Sequence, residues 1–259
     1  MIHHGMYFSF ASFEGLGFVD HGFSTRRGGV GKGVYESLNL GERRGDDPAA
    51  VAENTRRIGE ALGFNPARVA HAHQIHSTKI LHVTEATDPA NVPEADGLIT
   101  NVPGLTLRTS HADCVPLFVA DPQTRSIGLA HAGWRGTVDG MAQSLVEAMV
   151  AAFGCKPQSL RAGIGPSIGP CCYQVGPEVA EAFLRWPFGG AYIRPDAVPG
   201  KFIADLWGFN RALFLECGLR PRRIETAQIC THCHPELFFS HRYQGLPRGT
   251  MMAYLTIRE

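Results

Sequence analysis

Two apolar runs, at residues 114–120 and 126–130, constrain the fold of this 259-residue chain more than any other feature. Neither run alternates polar with apolar residues, so each is predicted to form an inner strand that is buried on both faces. Helices and strands interleave along the rest of the chain without a strict βαβ rhythm. That order favours a mixed α/β architecture over a doubly wound parallel sheet.

Capping residues and apolar spacing predict the main helices. The first opens with Asp47 and Pro48 and closes at Gly63, and the second is capped by Thr137 and closes at Gly154. The other predicted elements are helices over residues 177–186 and 206–217 and strands over residues 222–229 and 251–257.

Three side chains with metal-binding chemistry accompany the apolar runs. Cys114 starts the first run, His131 follows the second, and His76 lies upstream. Two imidazoles and one thiolate leave the fourth position of a tetrahedral metal open, as in catalytic zinc sites. Two alternatives stay open. Blue-copper centres use the same ligand set, and Cys114 with His131 as its base would suit a metal-free cysteine hydrolase.

Three histidines lie close together upstream of the apolar runs, at His71, His73 and His76. In an extended segment His71 and His73 share one face, and His76 points to the other. We therefore expect that the three cannot serve one site unless the backbone bulges.

Two arginines are candidate anion ligands. Arg26 lies at the mouth of the glycine-rich segment 25–33, which is typical either of a solvated hairpin turn or of an anion clamp. The clamp is considered because Arg presents a rigid fork that matches phosphate. Arg135 lies at a predicted switch from strand to helix, where backbone N–H groups favour an anion.

The seven cysteines, an odd number, indicate reduced thiols in a cytoplasm rather than a disulfide framework. Cys230-Thr231-His232-Cys233-His234 matches the haem-attachment string, but covalent haem attachment needs export and no signal peptide is visible. The string also resembles half of a zinc knuckle, but no second Cys-x-x-Cys pair completes it. We expect ordinary strand-end thiols there, and a pair of loop thiols at Cys171-Cys172.

Composition excludes several classes of protein. Lys plus Arg and Asp plus Glu each number 24, so a basic face for nucleic acid is not indicated. No apolar run approaches the ~18 residues of a membrane helix, and the N-terminus lacks the pattern of a secretory signal. No linker or repeat is visible, so residues 1–259 are predicted to form a single, cytoplasmic domain.

Motifs along nearly the whole chain resemble those of the laccase-domain family, once called polyphenol oxidoreductases and now described as purine nucleoside phosphorylases. The match is highly specific because Ala112-Asp113-Cys114 is followed at this separation by His131-Ala132-Gly133-Trp134-Arg135-Gly136. The other matching segments are Thr25-Arg26-Arg27-Gly28-Gly29, Ser37-Leu38-Asn39-Leu40-Gly41, Gln74-Ile75-His76, Ala95-Asp96-Gly97, Ile164-Gly165-Pro166 and Phe238-Phe239-Ser240-His241-Arg242.

The resemblance implies mixed β-sheets layered between helices, related to cysteine-hydrolase-like toxins. It implies a metal site at His76, Cys114 and His131, with zinc expected and copper as the alternative. It also implies phosphorolysis of adenosine, inosine, guanosine and methylthioadenosine, together with deamination of adenosine. The family usually has Gly after the first ligand histidine. Here it is Ser77, whose side chain is expected to narrow the pocket.

The remaining candidates receive roles within that chemistry. Asp113 either moves protons during deamination or holds the ligand geometry through a hydrogen bond. Arg26 and Arg135 are expected to hold the phosphate that attacks ribose C1′. We expect a monomer that binds purine nucleosides and phosphate and does not bind nucleic acid or membranes.

Two further hypotheses stay open. A non-catalytic binding module would use the His/Cys set only to stabilise its fold. The second hypothesis is a copper oxidase that acts on phenols. Large multicopper oxidases, however, use four His-x-His pairs. This sequence has two such pairs, His71/His73 and His232/His234.

Overall fold

The computed structural model describes residues 1–42 and 44–259, which form three β-sheets with helices on their outer faces. The strands are β1 (Ile2–His3), β2 (Tyr7–Ser9), β3 (Val19–Ser24), β4 (Val69–Ala70), β5 (Ile80–His82), β6 (Gly97–Thr100), β7 (Thr106–His111), β8 (Val115–Asp121), β9 (Ser126–Ala132), β10 (Arg161–Ile164), β11 (Gln174–Val175), β12 (Ile193–Pro195), β13 (Phe202–Ala204), β14 (Ile224–Thr226) and β15 (Met251–Ile257). The α-helices are α1 (Ala11–Glu14), α2 (Pro48–Leu62), α3 (Trp134–Val138), α4 (Met141–Phe153), α5 (Pro177–Leu184), α6 (Leu206–Glu216) and α7 (His241–Gln244).

The two large sheets are both mixed. The first has the order β1-β2-β3-β15-β7-β4 and the second the order β14-β10-β8-β9-β6-β5. Their pairs are antiparallel except β4 with β7, β10 with β14 and β5 with β6, which are parallel. A small third sheet has the order β11-β13-β12.

Alternate residues of β8 enter two different cores. Leu117 packs in the cluster that contains Leu145 of α4 and Phe209 of α6. Its neighbour Phe118 faces the other way and packs with Leu255 of β15, in the cluster between the two large sheets. The second sheet is therefore covered by helices on one face and by the first sheet on the other, which explains why β8 and β9 are buried throughout.

A third core covers the outer face of the first sheet. Met252 and Tyr254 of β15 pack with Ile58 and Leu62 of α2, while the alternating Leu255 points into the core between the sheets. The predicted mixed α/β fold, with sheets layered between helices, is confirmed. No helix in residues 1–42 and 44–259 is long and apolar enough to cross a bilayer.

The helix signals were correct in most places. Asp47 caps α2 by accepting from the Ala49 amide, and Gly63 ends that helix with a φ of 75°. The prediction that Thr137 caps the next helix is wrong. The chain first forms the short α3, turns at Gly140 with a φ of 88°, and only then begins α4. The Thr137 hydroxyl is buried and accepts from Asn210 of α6.

His21 of β3 makes the stability of this fold depend on pH. Its Nε2 accepts from the Phe10 amide at 2.7 Å among the rings of Phe10, Phe13 and Phe118. Burial lowers the pKa of His21 to about 4, against nearby carboxylates that raise it. Below pH 6.5 the unfolded chain therefore binds a proton that the folded protein rejects, and stability is lost as the pH falls from 6.5 towards 4.

We expect the wild type to lose about 2 kcal/mol more free energy of unfolding than His21→Gln between pH 7.5 and pH 5. Urea unfolding at the two pH values measures this difference. The comparison uses the difference in the free energy of unfolding between the two pH values within each protein. A loss of stability in the variant that is equal at both pH values therefore cancels. Equal pH dependence in the two proteins would contradict the assignment.

Candidate metal centre

The structure brings together the three predicted ligands, His76, Cys114 and His131, although they are far apart in the sequence. Their ligand atoms all lie within 4.8 Å of one another. His76 lies in the loop between β4 and β5, Cys114 in the turn between β7 and β8, and His131 in β9. The antiparallel pairing of β8 with β9 brings Cys114 diagonally close to His131, because His131 pairs with Pro116, two residues after Cys114.

The hydrogen bond from His131 to Asp96 fixes the tautomer of this imidazole. Nδ1 lies 3.0 Å from Asp96 Oδ1. A carboxylate only accepts, so Nδ1 carries the proton and the lone pair of Nε2 is left for a metal. A carboxylate behind a ligating histidine is the usual support for a bound metal.

The same carboxylate holds the His76 loop. Asp96 accepts from the successive amides of Ile75, His76 and Ser77 at 3.2, 3.0 and 2.7 Å. His76 has a φ of 61°, a left-handed conformation that non-glycine residues adopt only when their surroundings enforce it. The sequence alone assigned no role to Asp96. A signal was available, because an Asp directly before an apolar strand is expected to be buried. A buried carboxylate needs hydrogen-bond partners.

Ser77 supports the site instead of narrowing it. Its hydroxyl donates to Asp96 Oδ2 at 2.8 Å. Ser77 is also absent from the described residues that line the cavity beside the cluster. The departure from the usual Gly therefore adds a donor to Asp96.

Charges at the centre favour the ionised thiol. Burial opposes ionisation of Asp96, but hydrogen bonds from His131 and Ser77 outweigh it and lower its pKa to about 2. Burial also opposes ionisation of Cys114, but His131 and His76 outweigh it and lower the pKa of the thiol. In turn, Cys114 and Asp96 raise the pKa of His131. The thiolate is the form of cysteine that binds a metal or attacks as a nucleophile.

His111 and Asp113 hold the turn that carries Cys114. The buried His111 ring contacts the Cys114 carbonyl oxygen with Nδ1 at 3.1 Å and the Thr109 hydroxyl with Nε2 at 2.8 Å. Because a carbonyl only accepts, Nδ1 is the protonated nitrogen. Asp113 has a φ of 91°, and its carboxylate accepts from the Thr231 hydroxyl and the Arg242 amide at 2.6 and 2.7 Å. These bonds favour a positioning role for Asp113 over proton transfer.

A cavity of about 690 Å³ adjoins the cluster, and all three ligands line it. His71 and His73 also line it, because the turn at His76 brings both sides of this segment to one space. The left-handed turn at His76 interrupts the extended conformation in which the three histidines could not share one site. Neither candidate metal cluster found in the described part of the chain contains His71, His73 or the His232/His234 pair.

The two predicted phosphate ligands lie elsewhere among the described residues. Arg26 donates to the carbonyl oxygens of Glu36 and Pro235 and stacks on Phe239. Arg135 is the second residue of the short α3 and stacks on Trp134. Neither arginine lines the cavity, whereas Arg44, Arg108 and Arg248 do. Nothing in the sequence distinguished these three from the other arginines.

The centre fits a zinc ion by its donor set. It offers one thiolate and two imidazoles, and the hydrogen bond to Asp96 presents the His131 lone pair. Catalytic zinc sites use three protein ligands of these types. The same set is compatible with copper.

Comparison with known proteins identifies the family of this chain. The family model described as multi-copper polyphenol oxidoreductase laccase matches residues 20–258. The chain belongs to this family. Similar solved structures include YlmD of Geobacillus stearothermophilus, with a TM-score of 0.90 and 34% identity over 98% of this chain and 100% of that one. YfiH of Bacillus licheniformis has a TM-score of 0.89 and 33% identity over 93% of both chains.

Curated relatives carry enzyme names. The purine nucleoside phosphorylase YlmD of G. stearothermophilus is 38% identical over 92% of this chain and 90% of its own length. A protein named adenosine deaminase RL5, from an unknown prokaryotic organism, is 33% identical over 88% of this chain and 90% of its own. The chain spans about half, 56%, of the mouse and human relatives named purine nucleoside phosphorylase LACC1.

Replacing Asp96 should loosen both histidines at once. We expect Asp96→Asn to lower zinc affinity about 10- to 100-fold, because the amide cannot accept all of the bonds that the carboxylate accepts. Competition with a chromophoric chelator measures this affinity. Ser77→Ala removes only one donor and should lower affinity much less. Wild-type affinity in Asp96→Asn would show that the ligand geometry does not depend on this carboxylate.

Gly133 gives a steric test of the cluster. A Cβ there would lie 3.0 Å from Cδ2 of His76 and 3.2 Å from Sγ of Cys114, so a ligand must move. Its φ of −71° suits alanine, so Gly133→Ala should weaken metal binding while the helices and strands persist. Gly136→Ala is the matched control, because its Cβ would meet nothing closer than 3.4 Å. Circular dichroism of both variants checks that the helices and strands persist, and their metal content measures binding. Equal metal content in Gly133→Ala and Gly136→Ala would contradict this expectation.

Proposed function

We propose that this protein is a purine nucleoside phosphorylase that also deaminates adenosine, at a zinc site formed by His76, Cys114 and His131. The observation that carries the proposal is the three-ligand cluster on the wall of a deep cavity. The names of its relatives supply the two reactions. The proposed substrates are adenosine, inosine, guanosine and methylthioadenosine.

The cavity has the size and surface that a nucleoside needs. Its volume of about 690 Å³ lies within the range of small-molecule sites. Apolar and aromatic side chains line part of it, among them Phe64, Met252 and Tyr254. Gln74 and Ser110 also line it, which supplies polar groups to orient a bound base or sugar.

Buried polar atoms without partners support an anion site on the wall of this cavity. Arg108 Nε, Arg248 Nε, Thr250 Oγ1 and Tyr254 Oη are buried, lack a hydrogen-bond partner, and belong to residues that line the cavity. Buried polar groups are normally hydrogen-bonded, so a ligand with several oxygens would satisfy them. Burial and the charge of Arg44 both lower the pKa of Arg248, so two cations lie close together there.

We therefore assign phosphate to Arg248, assisted by Arg44. The charge of Cys114 also acts on Arg248, which places this arginine near the cluster. The roles expected for Arg26 and Arg135 stay predictions, and the geometry favours Arg248 over both. In phosphorolysis the arginines would hold phosphate while one of its oxygens bonds to ribose C1′ and the bond from C1′ to the purine breaks.

In deamination the chain's own residues present the purine to activated water. Zinc held by His76, Cys114 and His131 would supply Lewis acidity that activates water near neutral pH. Asp96 keeps His131 in the tautomer that such an ion requires. His111 and Asp113 hold the turn of Cys114, so they are positioning residues in this scheme.

A second candidate function has a specific observation in its favour. Cys114, His131 and Asp96 also form the nucleophile, base and orienting carboxylate of a cysteine hydrolase. His76 separates the two accounts, because only the metal site needs it.

His76→Gln should abolish nucleoside turnover and metal binding. A fully active, metal-free variant would favour the hydrolase.

Product analysis tests the two reactions together. Purified protein is incubated with adenosine and phosphate, and adenine, inosine, hypoxanthine and ribose 1-phosphate are quantified. Cys114→Ala should abolish all products if one metal serves both reactions. Loss of deamination alone would show that phosphorolysis works without the metal.

Three arginine variants locate the phosphate. We expect Arg248→Gln to raise the KM for phosphate about 10- to 100-fold, the value of one lost charge-assisted contact, and to leave deamination nearly unchanged. Arg26→Gln and Arg135→Gln are the matched controls. If the KM for phosphate rises selectively in either control and does not rise in Arg248→Gln, the phosphate is bound by the arginine of that control and not by Arg248.

A further inference from the structure

Four thiols meet at a second place in the fold, apart from the His/Cys centre. Cys171 and Cys172 lie in the loop after β10, and Cys230 and Cys233 lie in the segment after β14. All four sulfur atoms lie within 4.8 Å of one another. Sγ of Cys233 is 3.5 Å from that of Cys171 and 3.3 Å from that of Cys172.

The pairing was not anticipated from the sequence. Cys230-x-x-Cys233 lacked a second Cys-x-x-Cys pair, and ordinary thiols were expected. The fold supplies the missing half as the adjacent pair Cys171-Cys172, because the two loops run side by side. The Thr231 amide donates to Ser167 at 3.1 Å, and the Ser167 amide donates to the Ile229 carbonyl at 3.2 Å.

The spacing suits one tetrahedral ion. Zinc–sulfur bonds of about 2.3 Å place the four sulfurs of a tetrahedron about 3.8 Å apart. Here Cys233 Sγ lies 3.5 and 3.3 Å from the sulfurs of Cys171 and Cys172, and all four sulfurs lie within 4.8 Å of one another. Small adjustments of side chains would therefore complete the tetrahedron.

The sulfur of Cys230 already accepts a hydrogen bond from a backbone amide, as metal-binding thiolates do. The buried Cys230 Sγ accepts from the Gly169 amide at 3.3 Å. Four thiolates at this separation repel one another unless a cation lies among them. A disulfide would satisfy only two of the four, and all four cysteines are free.

We propose that Cys171, Cys172, Cys230 and Cys233 bind one zinc ion as four thiolates. Four protein ligands close the coordination sphere, so this is a structural site and not a second catalytic one. The proposal is independent of the nucleoside chemistry above.

The ion would fix two loops that hold the turn of Cys114. From the first loop the Ile168 amide donates to the Asp113 carbonyl at 2.9 Å. From the second the Thr231 hydroxyl donates to the Asp113 carboxylate at 2.6 Å. Zinc at the thiols would join these contacts into one rigid support beneath Cys114.

Metal content of the full-length protein tests the proposal. The protein is made without a histidine tag and saturated with zinc, and bound metal is counted after gel filtration. Cys233→Ser should lose one zinc per chain relative to the wild type. Cys217→Ser removes a thiol outside both clusters and should lose none. Cys114→Ala should keep the zinc at the four thiols. Equal zinc in Cys233→Ser and the wild type would overturn the proposal.

Two measurements need no substitution at the four thiols, so they remain decisive if Cys233→Ser does not fold. Cobalt substitution should give sulfur-to-metal charge-transfer absorption that persists in Cys114→Ala, because four thiolates absorb more strongly than one. Zinc should also protect Cys171 and Cys233, which are exposed, from iodoacetamide, and a chelator should remove the protection. Full reactivity in the presence of zinc would overturn the proposal. So would an intact mass lower by two hydrogens, which reports a disulfide among the four.

Discussion

One buried carboxylate organises the candidate metal centre. Asp96 accepts from three successive amides at residues 75–77, from the Ser77 hydroxyl and from Nδ1 of His131. Burying a carboxylate is unfavourable unless it is fully hydrogen-bonded, so these donors and Asp96 hold one another in place. The left-handed turn at His76 and the tautomer of His131 both follow from this single interaction.

The register of the second sheet places that carboxylate. Gly97 of β6 pairs with Ala130 of β9, so Asp96 and His131 become neighbours. Gly97 also pairs with Ile80 of β5, which returns the His76 loop to the same place. A shift of one residue in either pairing would turn the polar side chains away, because successive residues face opposite sides of a sheet. The apolar cores that fix the register therefore also fix the chemistry.

Asp113 connects the two proposed metal sites. Its backbone and side chain receive hydrogen bonds from the loops that carry the four cysteines, and its neighbour in the chain is Cys114. The strained φ of 91° at Asp113 persists because these bonds enforce it. The contacts that support Cys114 and the loops that carry the four thiols thus meet at the same turn.

Local patterns in the sequence determined most of the helices and the inner strands, and residue chemistry with the family resemblance selected His76, Cys114 and His131. Capping residues and apolar periodicity act over a few neighbours, so they can be read from a linear chain. Only the tertiary structure showed the hydrogen bonds of Asp96, the place of Arg248 in the cavity wall and the meeting of the four thiols. Each depends on contacts between residues distant in sequence, and strand register and loop packing decide those contacts.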